Sequence, residues 1–257
     1  MISSQNCLSR KRIPKEKNGG KEEMRADNQL MKKINRETLR EVLQKCQKAT
    51  KPELAAKTGL SVVTINALIT DLIQRQEVEE NGLVPSEGGR PSMQYRYNNN
   101  FCHAAVLYCY QKEEQTYAHC LVIDLSGKVI WRQEKFYTEV EMESFTELLD
   151  QAFQTVEKIK VIAFGLPGEA NEHTVLINDY EKLIGKEFFS YYKERYHVPI
   201  LFENDVNAMT YGYYCSNRSK KEDIVVGVYF PKRYIPGAGI ILNQKIYYGT
   251  QHFAGEM

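Results

Sequence analysis

Residues between 61 and 67 have the types and spacing to meet the edges of nucleic-acid bases. Ser61, Val63, Thr64, Asn66 and Ala67 fall on the polar flank of a segment with helical period. A carboxamide offers one donor and one acceptor, the pattern that pairs with adenine, and a small methyl side chain fits a thymine methyl. Downstream, Gly88-Gly89-Arg90-Pro91 sets one guanidinium between flexible glycines and a stiff proline. Such an arginine can be laid into a narrow minor groove, where the potential is most negative. The same stretch also reads as an ordinary linker. Lys57, Arg75 and Arg96 are candidate phosphate contacts or solvated surface charges.

A recognition flank needs a rigid carrier. Ile65, Leu68, Ile69, Leu72 and Ile73 recur at i, i+3, i+4, i+7 and i+8, a buried helical stripe with Ser61 as its cap. Val63, Thr64, Ala67 and Thr70 lie opposite, with Asn66 to one side. Before it, Thr50-Lys51-Pro52-Glu53 has the form of a capping box, and Gly59 supplies a left-handed turn that ends a short helix. Two helices joined by a tight glycine turn form a helix-turn-helix, whose second helix is sized for the major groove. Leu30, Ile34, Leu39, Val42 and Leu43 predict one or two further amphipathic helical stretches over 28–46. Short strands near Val78–Glu80 and Met93–Tyr97 would form a wing-like hairpin with a long glycine-bearing tip.

The whole chain suits two soluble modules: 257 residues, 42% hydrophobic and 26% charged. No apolar run approaches the roughly 18 residues needed to cross a bilayer, and the polar, basic N-terminus argues against a secretory signal. The net charge of +1 hides an asymmetry: the first 100 residues carry 18 Lys+Arg against 12 Asp+Glu, the remainder 16 against 21. A basic front points to a polyanionic partner. Residues 1–24 read as a basic, disordered tail. Cys7, Cys46, Cys102, Cys109, Cys120 and Cys215 lack a Cys-x-x-Cys pair, which predicts reduced thiols and a cytoplasmic location.

After Asn98-Asn99-Asn100 strands alternate with helices. Strands are expected at 104–110, 117–124, 128–134, 161–164, 200–202, 224–230, 239–242 and 245–248. Helices are expected near 141–157, 183–196 and 207–215. Hairpins followed by β-α-β alternation indicate a mixed α/β sheet.

Several short motifs share an order and spacing: Glu53-Leu54-Ala55, Thr58-Gly59-Leu60-Ser61, Gly88-Gly89-Arg90-Pro91, Gly165-Leu166-Pro167-Gly168, Glu203-Asn204-Asp205-Val206-Asn207-Ala208 and Phe253-Ala254-Gly255-Glu256. With these the chain resembles the ROK family of sugar-responsive repressors and sugar kinases. The resemblance implies an α/β chain: a winged helix-turn-helix followed by a partial actin-like ATPase (ribonuclease H-like) ROK domain. Its divisions would be the tail 1–24, a DNA-binding domain 25–97, and a sugar-kinase-like domain 98–257 holding the first lobe and the start of the second. In kinases of the family the aspartate matching Asp205 takes the proton of the attacking sugar hydroxyl. The residues matching Asn204 and Glu256 bind sugar hydroxyls, and the turn matching Gly165–Gly168 lets backbone approach the sugar. Glu203-Asn204-Asp205 could equally cap the following helix, and Gly168 could be a turn glycine.

Departures from the family pattern bear on activity. The family's Asp-x-Gly-Gly-Thr phosphate loop is replaced by Tyr108-Cys109-Tyr110-Gln111-Lys112-Glu113-Glu114-Gln115, which lacks glycine and carries two carboxylates. A second phosphate loop is replaced by Arg233-Tyr234-Ile235-Pro236-Gly237, and the sequence stops at Met257 before the family's zinc-binding cluster. The expected function is therefore a transcriptional regulator, a repressor of sugar-related genes, with no catalysis, cofactor or metal. Asp205 would be the remnant of a kinase base. Double-stranded DNA, a small sugar effector and a second copy in a homodimer are the expected partners, and no membrane. A sugar kinase, or a protein-interaction module that does not bind DNA, are the alternatives.

Overall fold

The computed structural model describes residues 19–86, 89–112, 115–171, 174–217, 224–230, 236–250 and 254–255, with backbone alone for 19–28, 86 and 177. The chain divides into two compact units, Met1–Asn98 and Asn99–Met257. Among the described residues no single helix is long and apolar enough to cross a membrane.

The first unit runs α1 (Gly19–Cys46), β1 (Lys48–Thr50), α2 (Lys51–Thr58), α3 (Val62–Gln74), β2 (Val78–Ser86) and β3 (Gly89–Tyr97). Residues 19–24, expected in the tail, form the first turns of α1. The rest of that tail lies outside the described residues. One helix replaces the one or two stretches expected over 28–46. Among its residues with described side chains, Leu39 and Leu43 are fully buried whereas Leu30, Met31 and Ile34 stay about half exposed. Leu39 and Leu43 join Leu54, Ile65, Leu68, Ile69, Leu72, Val78 and Tyr95 in one core. At about 25 cal/mol per Å2 of apolar area removed from water, this stripe is what holds α3 in place.

The sheet order is β1-β3-β2, all antiparallel. The hairpin strands are longer than expected and the tip is short: Ser86 pairs with Gly89, leaving only two residues between them. Prolines 85 and 91 suggested a loop, but register shifts at Glu80/Leu83 and Val84/Ser86 accommodate Pro85 on an edge strand. Pro91 lies beyond the stretch that β1 pairs, Gln94–Arg96. A missing N–H is tolerated at such places.

The second unit runs β4 (His103–Lys112), β5 (Gln115–Ile123), β6 (Val129–Tyr137), α4 (Met142–Thr155), β7 (Ile159–Leu166), β8 (Glu169–Ala170) and β9 (Val175–Ile177). A 3-10 turn (Glu181–Leu183) and α5 (Phe188–Tyr196) follow, then β10 (Ile200–Asn204), α6 (Asp205–Ser216), β11 (Ile224–Tyr229), β12 (Gly237–Leu242) and β13 (Lys245–Ile246). The main sheet has order β10-β7-β4-β5-β6, with β10, β7 and β4 parallel and the rest antiparallel. The alternation of β4 buries Ala105, Leu107 and Cys109 against α4 and α5. Phe164, Phe188 and Tyr192 meet there with ring centroids 4.6–5.0 Å apart. A second sheet, β11-β12-β13, packs on α6 where Gly227 and Gly239 leave room for Thr210.

Candidate functional site

In the first unit, local capping fixes the α2–α3 corner. The Thr50 hydroxyl accepts from the Glu53 N–H (3.5 Å), and Glu53 Oε2 accepts from the Thr50 N–H (2.7 Å). The Thr50 backbone bond, followed by the Thr50 hydroxyl, holds the Glu53 carboxyl below its ordinary range. Gly59 ends α2 at φ 73°, its N–H reaching the Ala55 carbonyl at 2.9 Å. Ser61 Oγ accepts from the Thr64 N–H at 3.1 Å and lies 2.9 Å from Thr64 Oγ1. The axes of α2 and α3 bend by 112°.

This corner leaves one face of α3 in solvent. Val63 is 80% exposed, and Asn66, Ala67 and Thr70 are exposed beside it. Ser61 is exposed and Thr64 half-buried, but their hydroxyls serve the helix start. Asn66 is already engaged: Lys51, the first residue of α2, donates to its Oδ1 at 2.5 Å. Gly89 and Arg90 are exposed at the start of β3, and Gly88 lies outside the described residues. Of the candidate phosphate contacts, Arg75 pairs with Asp71 (3.1 Å) and Arg96 with Glu79 (2.9 Å), while Lys57 is exposed in the last turn of α2. Behind the corner, Glu77 accepts two hydrogen bonds from Arg40 at 2.7 Å each. Sequence reading missed Lys51 and Glu77, since nothing in their spacing announces partners 15 and 37 residues away.

In the second unit, the carboxyl ends of β7 and β10 bring Gly168, Asn204 and Asp205 together, where ligands of open α/β sheets bind. Gly168 has φ 90°, which a side chain would strain. Asn204 Oδ1 accepts from the N–H groups of Val206 (3.0 Å) and Asn207 (3.1 Å), so it does cap α6, and its Nδ2 reaches the Gly168 carbonyl at 3.4 Å. Asp205 Oδ1 accepts from the Val206 N–H at 2.8 Å. The Cys109 thiol is pushed up to about 12, by burial first and also by the nearby Asp205 charge.

Asn178 and Tyr248, which sequence reading did not single out, buttress this corner together with Glu203 of the motif. Asn178 donates to the Pro167 carbonyl at 2.6 Å and accepts from the Tyr180 N–H, pinning the turn before Gly168. Glu203 accepts from Tyr248 Oη (2.7 Å) and Asn207 Nδ2 (3.3 Å). Burial first, then Glu203, raises the Tyr248 hydroxyl to about 12. Of the Phe253–Glu256 motif, Gly255 is seated on β12 through an Ala238 N–H bond of 2.8 Å, and Glu256 lies outside the described residues. So do Glu113 and Glu114 and residues 231–235. Among the described residues no three His, Cys, Asp or Glu side chains cluster as metal ligands do.

The family model described as "ROK family" matches residues 115–257. The chain belongs to the ROK family. Among curated relatives, the xylose repressor of Bacillus subtilis (strain 168) is 25% identical over 242 residues, covering 90% of this chain and 61% of its own. The xylose repressor of Caldicellulosiruptor bescii is 24% identical over 246 residues, covering 89% and 58%. The chain thus spans about three-fifths of the length of the curated relatives it matches. Among solved structures, a ROK family transcriptional regulator, a homologue of the E. coli Mlc protein, superposes with TM-score 0.66 at 20% identity, over 88% of this chain and 58% of that one. That likeness shows the fold: a mixed α/β chain with a ROK domain.

Proposed function

We propose that this ROK chain is a cytoplasmic, sugar-responsive transcriptional repressor whose first unit is a winged helix-turn-helix on duplex DNA. The observation that carries the reading is the exposed face of α3. A helix seated by Ile65, Leu68, Ile69 and Leu72 offers Val63, Asn66, Ala67 and Thr70 outward, after a three-residue turn and a 112° bend. Bends of about 90–120° over such turns are those of helix-turn-helix pairs. Ser61, Val63, Thr64, Asn66 and Ala67 would form the major-groove side, with Ser61 acting through the cap. Gly88, Gly89 and Arg90 would carry the wing to the minor groove. The repressor names of the curated relatives support the same reading. A homodimer would place two α3 helices on half-sites about 34 Å apart.

The second unit would sense a sugar. Asn204 has an N–H donor beside the Asp205 carboxylate, and a sugar hydroxyl both accepts and donates. Gly168 and Glu256 would complete the wall. Catalysis is not part of the proposal. The β4–β5 ladder continues through Tyr110–Tyr117 to Lys112–Gln115, where the family's kinases keep a glycine loop for phosphate. Phosphoryl transfer needs that positioning, which Asp205 alone does not supply.

The test is selection of genomic fragments by the purified chain at low salt, repeated with a panel of pentoses and hexoses. Fragment enrichment that weakens with salt and responds to one sugar is expected. Arg90→Ala should lower affinity and flatten the A·T preference at the flank. Indifference of both affinity and preference to Arg90→Ala refutes the wing assignment. ATP-dependent sugar phosphorylation abolished by Asp205→Asn refutes the non-catalytic reading.

A further inference from the structure

We propose that Lys51 sets which base Asn66 reads, so that the pair selects guanine in place of the adenine expected of a lone asparagine. The inference rests on the reading of α3 as the DNA-facing helix.

Lys51 Nζ is held from two sides. It lies 2.5 Å from Asn66 Oδ1 and 5.2 Å from the ring centroid of Tyr95, a cation–π distance. Tyr95 sits in the core at 4% exposure, so the ring is a fixed platform. The Lys51 backbone is fixed as well, because it opens α2 within the Thr50–Glu53 capping box.

The hydrogen-bond chemistry follows from these positions. An ammonium has three donors and no acceptor, so the end of the carboxamide that faces it is the carbonyl oxygen. The outward group of Asn66 is then its NH2, and the ammonium adds donors of its own. Together they form a donor-only surface on the exposed face of α3, beside Val63, Ala67 and Thr70. Adenine presents an acceptor, N7, next to a donor, N6-H2, and its bidentate partner must offer one of each. With Oδ1 turned to Lys51 and one of its two lone pairs occupied, Asn66 is poorly placed to offer that oxygen to a base. Guanine presents two acceptors, O6 and N7, and matches a donor-only surface. Lys51 is in this sense a specificity-determining residue acting partly through Asn66.

The experiment is sequence selection from a randomised duplex pool with the full chain, the Lys51→Met variant and the Asn66→Ala variant, each also titrated with salt. Methionine keeps the apolar stem over Tyr95 and removes the ammonium. Wild type should enrich guanine at one position of each half-site. Lys51→Met should shift that position towards adenine by about tenfold in the guanine-to-adenine ratio, and Asn66→Ala should flatten it. If Lys51→Met lowers affinity evenly for all sequences and reduces the salt slope by about one, Lys51 is a phosphate contact and the inference is overturned. Retained binding with adenine already preferred by the wild type overturns it too, and leaves the DNA-binding reading standing. Absence of any salt-sensitive duplex binding overturns the functional reading and this inference with it.

Discussion

Removing the Glu77 carboxylate should destabilise the first unit by about 3 kcal/mol, the lower end of the cost of breaking a buried ion pair. Glu77 is only 3% exposed and accepts from both Nε and an Nη of Arg40 at 2.7 Å, joining α1 to the start of β2. Burial alone would lower the Arg40 pKa, and the hydrogen bond and charge of Glu77 more than reverse that, so the guanidinium is held above its ordinary value. In Glu77→Ala the guanidinium, 23% exposed, keeps Glu37 as its carboxylate partner among the described residues, and that carboxylate is 52% exposed and well screened. That remaining partner is why the lower end applies. Hydrogen exchange of the intact protein, read on peptides covering 39–43 and 77–80, should accelerate roughly a hundredfold, since about 1.4 kcal/mol is a factor of ten. Glu77→Gln, which keeps one acceptor, should fall between. The double variant Arg40→Met, Glu77→Leu should return to within about 1 kcal/mol of wild type, because no buried charge is then left unpaired. A Glu77→Ala cost below about 0.5 kcal/mol, or a double variant as unstable as the single one, would refute the reasoning.

Three further outcomes follow from the geometry. The Glu53 carboxyl is held below its ordinary value of 4.5, so its capping contribution is present above that pH and lost as pH falls through the depressed folded value. The thermal-stability gap between wild type and Glu53→Gln should therefore narrow as melts by circular dichroism move from pH 6 to pH 3. The nearest atoms that a Cβ at Gly227 would meet all belong to the Thr210 side chain, so Gly227→Ala should cost about 1–3 kcal/mol in urea titrations and be relieved by Thr210→Ala. A Cβ at Gly239 would also meet the Val206 backbone carbonyl at 2.8 Å, so Thr210→Ala should leave most of the Gly239→Ala cost in place.

What was legible in the sequence was whatever repeats with a local period or closes a local turn. The stripe from Ile65 to Leu72, the Thr50–Glu53 box and the Gly59 stop involve residues within eight positions of one another, and each appears where expected. Elements set by distant partners were not legible. The three-residue strand β1 exists because Lys48–Thr50 pairs with Gln94–Arg96, and no pattern of three residues announces that. The same holds for β8 with β9. Breaker residues misled in the opposite direction: the hairpin absorbs Pro85 by bulging instead of opening a long tip. Leu30 and Ile34 kept helical period without burial, since period reports a face and not what covers it.

Helix capping decides what both candidate sites have left to offer. Ser61 and Asn204 each stand at a helix start, and each gives its oxygen to N–H groups of the first turn. An oxygen spent this way is poorly placed to serve a base or a sugar as acceptor. At α3 the outward face is left with Val63 and Ala67 for apolar contact and with the amide N–H groups of Asn66, whose oxygen is turned to Lys51. At α6 the donor is Asn204 Nδ2, which keeps one N–H beyond its 3.4 Å contact with the Gly168 carbonyl, with Asp205 beside it as acceptor. The two surfaces therefore differ in hydrogen-bond polarity: donors and methyls on the first unit, a donor–acceptor pair on the second. An acceptor-rich groove edge suits the first and a hydroxyl suits the second, which supports the proposed division of nucleic acid and sugar between the two units.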